Sequence, residues 1–189
     1  MSEELHWIDR PDGKYSKQAM ESFMVFCILD TSVPYEKCCE AFDALKAQGL
    51  INRRTLKQVS ERDIKMILKK AGYRWANQKA RYLKEFSKNP INLLEASRDD
   101  IVKNVLGVGM KLASMFLRNT RGHGYAVIDI HTDRWLQKNY NFPDDVYKRM
   151  RYEEKEKWFI EASEFLGKTP MELDLEIWQE NRIGNRRKK

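Results

Sequence analysis

Apolar residues recur at helical spacing along nearly the whole of this 189-residue chain, and this periodicity limits the folds open to it. In one such run, Met20, Phe23, Met24 and Cys27 fall on a single helix face. Alternating apolar and polar runs, which are typical of β-strands, are absent apart from the short segment 125–129. The sequence therefore predicts an all-α protein with a sizeable apolar core.

Local signals mark where several helices begin. Ser60 and Ser97 each precede an aspartate by three residues, and Thr169 precedes a proline and then a glutamate. These are N-cap patterns, because a hydroxyl can accept a free N–H of the first helical turn. The predicted helical segments are roughly 16–29, 34–48, 61–71, 77–86, 90–94, 98–105, 110–119, 144–166 and 170–178, followed by a loose basic tail over 182–189.

Charge and cysteine content restrict the partners and the compartment. The chain has 35 Lys and Arg against 28 Asp and Glu, a formal charge of +7, which favours a polyanionic partner. It has neither a membrane-length apolar stretch nor a signal-peptide pattern at its start, so we expect a soluble intracellular protein without a membrane partner. Its three cysteines, two of them adjacent, argue against a disulfide framework.

A short glycine-containing segment, Leu106-Gly107-Val108-Gly109, separates two predicted helices. Glycine permits positive φ and a close approach of the backbone to another molecule. The free N–H groups and the positive dipole end of the following helix suit a phosphate. Taken alone, however, a G-x-G pattern is more typical of a plain helix–helix turn than of a phosphate site.

The residues after this segment narrow the interpretation. Lys111 follows Gly109 by two positions, Asp129 follows Lys111 by eighteen, and His131 completes a D-x-H pattern. Segment 106–119 with this D-x-H resembles the helix-hairpin-helix DNA glycosylases with a Gly/Pro-Asp loop, most closely the type 2 8-oxoguanine DNA glycosylase/lyases. Further segments that resemble the family lie at 26–29, 72–82 and 174–178, in the same order as in the family. The resemblance therefore covers about 16–178.

The resemblance implies two α-helical lobes that flank a DNA-binding cleft, with the helix-hairpin-helix motif at its edge. The whole chain, 1–189, would be one glycosylase unit, with approximate lobes formed by 16–30 with 125–189 and by 31–124. The implied protein is a monomer without a cofactor that acts on damaged double-stranded DNA, in the cytoplasm or nucleoid, or in the nucleus of a eukaryote.

The implied activity is that of a bifunctional DNA glycosylase/AP lyase that excises oxidised guanine. Two alternatives remain open. One is a helix-hairpin-helix glycosylase for another damaged base, and the other is a non-catalytic DNA-binding module.

Lys111 and Asp129 are the predicted catalytic residues. A primary amine can attack the sugar C1′, expel the base and form a Schiff base, which favours β-elimination, and a carboxylate can stabilise the cationic sugar. Because an ordinary lysine pKa near 10.4 leaves the amine protonated at neutral pH, the site must lower it. A position in the first turn of a helix acts in that direction.

The resemblance also implies residues that bind the base and the DNA backbone. The base-contacting set is Trp75, Met115, Trp178 and Lys189. For Trp75 and Met115 the alternative is ordinary core packing, and for Lys189 it is a phosphate contact by the basic tail. The predicted backbone contacts are Gly107, Gly109, Arg74, Asn77, Arg118 and His131, although His131 could instead orient Asp129 or be structural.

The three histidines show no spacing typical of a metal site, so we expect no catalytic metal. A monovalent cation held by the carbonyls of Leu106 and Val108 is implied by the resemblance. The chain departs from the family pattern at 29–34, where a Thr-Ala-Asn-like turn is usual, and at Leu106, where Lys or Pro is more common. These departures bear on the choice of lesion and of opposite base.

Overall fold

The computed structural model describes the backbone of residues 15–186 and the side chains of residues 15–181. Within these residues the chain forms eleven α-helices and no β-strand, which confirms the predicted all-α class. The chain divides into a first unit that ends at Gly122 and a second that begins at His123. The grouping of 16–30 with 125–189, taken from the resemblance, stays a prediction.

The first unit is built around its first helix. Its helices are α1 (Lys17–Leu29), α2 (Tyr35–Lys46), α3 (Arg53–Gln58), α4 (Glu61–Lys70), α5 (Ala76–Lys88), α6 (Arg98–Asn104) and α7 (Met110–Arg121). Every residue of α1 from Met20 to Leu29 is buried, so this helix is covered on all sides. Phe23 stacks on Phe116 of α7, with ring centroids 6.0 Å apart, and this contact fixes α7 against α1.

The second unit has its own apolar core. Its helices are α8 (Ile130–Tyr140), α9 (Asp144–Arg149), α10 (Tyr152–Phe165) and α11 (Pro170–Arg186). The buried cluster comprises Ala126, Ile128, Leu136, Tyr147, Phe159, Ala162, Leu173 and Ile177. None of the helices in the described part of the chain is long and apolar enough to cross a bilayer.

The predicted N-caps are confirmed. Ser60 and Ser97 accept the N–H groups of Asp63 and Asp100, each at 3.1 Å, and each aspartate carboxylate accepts the backbone N–H of its capping serine. Thr169 accepts the N–H of Glu172 at 3.2 Å. The three helices therefore begin where the local sequence indicates, because the hydrogen bonds of each cap are made between residues no more than three positions apart.

The predicted single helix over 144–166 is wrong. It is two helices, α9 and α10, separated by two extended residues, Met150 and Arg151. The Glu154 carboxylate accepts the Arg151 N–H at 2.7 Å and so begins a new helix there. Met150 packs against the core of the second unit, and this packing favours a break in the helix over a continuous one.

Three smaller differences have local causes. Segment 90–94 is a turn and not a helix, because Asn89 and Asn92 accept the N–H groups of Ile91 and Leu94 with their own side chains. The predicted loose tail begins too early, since α11 continues to Arg186. Helices α3 and α8 were not predicted. The six residues of α3 are too short for a periodic pattern, and α8 directly follows the short strand-like segment 125–129.

Candidate active site

The predicted hairpin connects α6 to α7. Its backbone is held by a hydrogen bond from the Val108 N–H to the Val105 carbonyl, 3.1 Å long. Both valines are buried, whereas Leu106 is exposed. The two buried valines anchor the loop, and the Leu106 side chain between them lies at the surface.

Gly107 occupies a position that only glycine fits. Its φ is +84°, and a Cβ built there would lie 2.2 Å from Cδ2 of Tyr82 on α5. The Tyr82 ring therefore packs directly on the hairpin backbone. Both the left-handed conformation and the close contact exclude a side chain at this position.

We expect Gly107→Ala to destabilise the first unit by about 2–3 kcal/mol or more, because the added methyl meets both a strained φ and an aromatic ring. Gly49→Ala is the matched control: Gly49 has φ +70° but open space around it. That change should cost only about 1–2 kcal/mol. Urea denaturation of the two variants measures the difference, and equal losses would contradict the proposed ring contact.

The start of α7 has backbone donors available. Gly109 is the N-cap, it is exposed, and no side chain caps the helix there. The first N–H groups of an α-helix have no partner within the helix, and the dipole adds positive potential at that end. This geometry suits the phosphate contact predicted for Gly107 and Gly109.

Lys111 lies in the first turn of α7, and its side chain is 34% exposed. Its Nζ atom is 3.1 Å from Oδ2 of Asp30, the residue that ends α1. Sequence reasoning did not select Asp30, because 81 positions separate the two residues. The one available signal was that Asp30 belongs to the segment 29–34, which departs from the family pattern.

Asp30 is also the charged neighbour of several buried groups. Burial raises the pKa values of the Cys27 and Cys38 thiols well above normal, and the nearby Asp30 carboxylate raises them further. Burial likewise raises the pKa of Tyr73, whose hydroxyl donates a hydrogen bond to the Leu29 carbonyl. The backbone immediately before Asp30 is therefore fixed by a buried side chain.

A second lysine lies in the same region. Lys79 of α5 is only 1% exposed, and its ammonium lies 5.3 Å from the centroid of the Tyr82 ring. Burial lowers the pKa of Lys79 to about 8, an effect that Cys38 and Asp30 partly oppose. No sequence pattern distinguished this lysine from the exposed ones.

Trp75 and Arg74 form a stacked pair before α5. The Arg74 guanidinium carbon lies 4.6 Å from the Trp75 ring centroid, and the indole N–H donates to the Ser32 carbonyl at 3.3 Å. Trp75 is half-buried and Arg74 is exposed. The indole is thus fixed in orientation while part of its surface remains accessible. Asn77, in the first turn of α5, is exposed.

Two further predicted residues lie on α7. Met115 is one turn beyond Lys111 and is half-buried. Arg118 is half-buried as well, and its Nε–H donates to Asn119 at 3.0 Å. Both are partly accessible, so neither is a fully buried core residue.

In the second unit, Asp129 is the N-cap of α8. Its Oδ1 atom accepts the N–H groups of His131 at 2.7 Å and Thr132 at 3.0 Å. The sequence had offered no structural reason for a carboxylate after the apolar run 126–128, and the cap supplies one. The Tyr152 hydroxyl holds the same run by accepting the Ile128 N–H at 3.1 Å. The carboxylate therefore has a fixed orientation.

His131 and Trp178 also belong to the second unit, and both are half-buried. The Nδ1 atom of His131 is buried and has no hydrogen-bond partner among the described residues. Lys189 lies outside the described residues. Within the described part of the chain no cluster of His, Cys, Asp or Glu could hold a metal ion. The cation at the Leu106 and Val108 carbonyls stays a prediction.

An all-helical fold whose glycine hairpin leads directly into a lysine defines the class of helix-hairpin-helix proteins that the sequence resembled. A family model described as 8-oxoguanine DNA glycosylase matches residues 9–168. The 8-oxoguanine DNA glycosylase/AP lyase of Thermoplasma acidophilum is 33% identical over 180 residues, 90% of this chain and 84% of that protein. The protein of the same name from Thermoplasma volcanium is 32% identical over 185 residues, 93% and 84% of the two chains.

This chain belongs to the 8-oxoguanine DNA glycosylase family. Solved structures agree with the fold. The 8-oxoguanine DNA glycosylase of Thermotoga maritima superposes with a TM-score of 0.73 at 23% identity, covering 93% of this chain and 86% of that one. The glycosylase/lyase of Methanocaldococcus jannaschii, solved with a 15mer DNA containing 8-oxoguanine, gives 0.69 at 25% identity, with coverages of 94% and 90%.

Proposed function

We propose that this chain is a bifunctional DNA glycosylase/AP lyase that excises 8-oxoguanine from duplex DNA by way of a Schiff base on Lys111. The position of Lys111 supports this most directly. The residue follows a glycine hairpin that suits a DNA phosphate, its side chain is one-third exposed, and its amine is held by a carboxylate. We propose that an amine at that position reaches the sugar of a nucleotide whose phosphate the hairpin binds.

The proposed reaction begins when the neutral Lys111 amine donates its electron pair to C1′. The bond from C1′ to the base breaks, and the base leaves with the electron pair of that broken bond and takes up a proton. The bond from C1′ to the ring oxygen then breaks, this oxygen takes a proton from the lysine nitrogen, and the freed nitrogen pair forms the C1′=N bond of the Schiff base. Loss of a C2′ proton breaks the bond from C3′ to oxygen and releases the 3′ phosphate, and water finally frees the lysine.

Asp129 is proposed to stabilise the positive charge that develops on the sugar as the base departs. Because two backbone N–H groups already fix this carboxylate, it loses little conformational freedom during this step. The second carboxylate oxygen is the one proposed to face the sugar, since Oδ1 is used by the cap.

The remaining predicted residues are assigned to recognition. In the first unit, the fixed indole of Trp75 and the half-buried Met115 are proposed to contact the flipped base. In the second unit, Trp178 and Lys189 are proposed for the same task. The proposed backbone contacts are Gly107, Gly109, Arg74, Asn77, Arg118 and His131. We also propose that the protein acts as a monomer inside the cell, because a single copy contains every proposed catalytic residue.

A panel of duplexes that each contain one lesion tests the substrate. The panel includes 8-oxoguanine, an alkylated purine and a deaminated base, each opposite all four normal bases. We expect strand cleavage at 8-oxoguanine to be faster than at the other lesions by about a hundredfold. Faster cleavage at another lesion would identify a different glycosylase, and binding without cleavage of any duplex would favour a non-catalytic module.

A further inference from the structure

We propose that Asp30 is a positioning residue for Lys111, one that holds the reactive amine by an ion pair and sets the pH at which it becomes reactive. This inference rests on the proposed function. It begins from the contact between Asp30 Oδ2 and Lys111 Nζ, which is 3.1 Å long and joins the end of α1 to the start of α7.

Both members of this pair occupy the unfavourable end of their own helix. Asp30 is the C-cap of α1, where the negative end of the dipole repels a carboxylate. Lys111 lies in the first turn of α7, where the positive end repels an ammonium. Neither charge therefore stabilises its own helix, and each relieves the unfavourable position of the other.

Asp30 is also largely shielded from water. Its side chain is only 19% exposed, and its charge acts on the buried thiols of Cys27 and Cys38 and on the Tyr73 hydroxyl. The carboxylate is compensated by the cation that it holds.

The pair is also rigidly mounted. The Asp30 N–H donates to the carbonyls of Phe26 and Cys27, at 3.0 and 3.2 Å, and Tyr73 binds the preceding carbonyl of Leu29. On the other side, Phe116 of α7 stacks on α1 through Phe23. The carboxylate is thus held where it can keep a flexible lysine side chain in one place.

The carboxylate should have two effects on the amine. It favours the charged form of Lys111, and it restricts where the amine can go. The other titratable groups of the first unit that interact with this pair are Cys27, Cys38, Cys39, Tyr73 and the buried Lys79. The three thiols and the tyrosine are kept neutral near pH 7 by their raised pKa values. Asp30 therefore supplies the negative charge of the group.

The test is borohydride trapping on a duplex that contains a preformed abasic site, measured under single turnover over about pH 6–9. We compare Asp30→Asn, Asp30→Glu and the native protein. In Asp30→Asn the midpoint of the pH profile should move down by about half a unit or more, because the amine loses its neighbouring carboxylate. The plateau rate at high pH should fall about fivefold or more, because the amine is no longer held. Asp30→Glu should restore the midpoint.

Glu21→Gln is the matched control. Glu21 lies on the same helix and pairs with Arg53, at 3.9 Å, and its side chain, 10% exposed, is also shielded from water. Its pH profile should match that of the native protein. If Asp30→Asn has the native midpoint, or loses rate equally at every pH, Asp30 is a structural residue and the inference is overturned. Absence of trapping by the native protein would instead overturn the proposed function.

Discussion

Lys111→Gln is expected to abolish covalent trapping by borohydride on lesion-containing and abasic duplexes, a loss of about three orders of magnitude or more. The amide nitrogen of glutamine cannot form a Schiff base, because its electron pair is delocalised. Affinity for the duplex should change by less than about tenfold, since one charge among many DNA contacts is removed. Trapping and gel-shift titration with the same duplex measure the two quantities.

Two further variants distinguish the loss of the nucleophilic amine from the loss of a positive charge. Lys111→Arg keeps the positive charge and a donor for Asp30, yet it should not trap either, because a guanidinium is not a nucleophile at neutral pH. Lys69→Gln removes an exposed charge from the end of α4 and should trap like the native protein. An adduct that persists in Lys111→Gln would show that another amine is the nucleophile, and the buried Lys79 would be the next to test.

Asp129→Asn is expected to slow base excision by about a hundredfold to a thousandfold with little loss of DNA affinity. Asparagine keeps an oxygen for the N–H groups of His131 and Thr132 but lacks the negative charge that would oppose the cationic sugar. The variant should therefore stay folded, with a change of less than about 1 kcal/mol in the free energy of unfolding. Single-turnover excision and thermal unfolding are the measurements.

The matched control for this variant is Asp133→Asn. Asp133 is in the first turn of the same helix and pairs with Lys155 at 2.8 Å. Its replacement should leave excision unchanged, whereas Asp129→Ala should add the loss of a cap, about 1 kcal/mol, to the catalytic defect. Excision by Asp129→Asn at the native rate would reduce Asp129 to a helix cap and remove it from the proposed chemistry.

The features that were predictable from the sequence are local ones. The caps at Ser60, Ser97 and Thr169 satisfy their own first turns within four residues, so neighbouring residues suffice to reveal them. The all-α class follows from the spacing of apolar residues along each segment. Lys111 was also identifiable, because the hairpin, the lysine and the later D-x-H pattern form a recognisable spacing.

The features that the sequence did not reveal depend on residues distant in the chain. Asp30 lies 81 positions from the lysine that it contacts, and Tyr82 closes over Gly107 from another helix. Nothing along the sequence distinguishes Lys79, with 1% of its surface exposed, from an exposed lysine. For Asp129 the sequence predicted a role in the chemistry but not its role as the N-cap of α8. The capping hydrogen bonds form only when α8 is in place.

The residue types, their order and their local spacing were enough to specify most of the helices, the hairpin and the lysine at its end, because hydrogen bonding within one turn and side-chain periodicity act over a few residues. Folding alone decided which carboxylate meets that lysine, which ring packs on the hairpin and which amine is shielded from water. These contacts join helices that are remote in sequence. The distances between those helices are set by the packing of α1 against its neighbours.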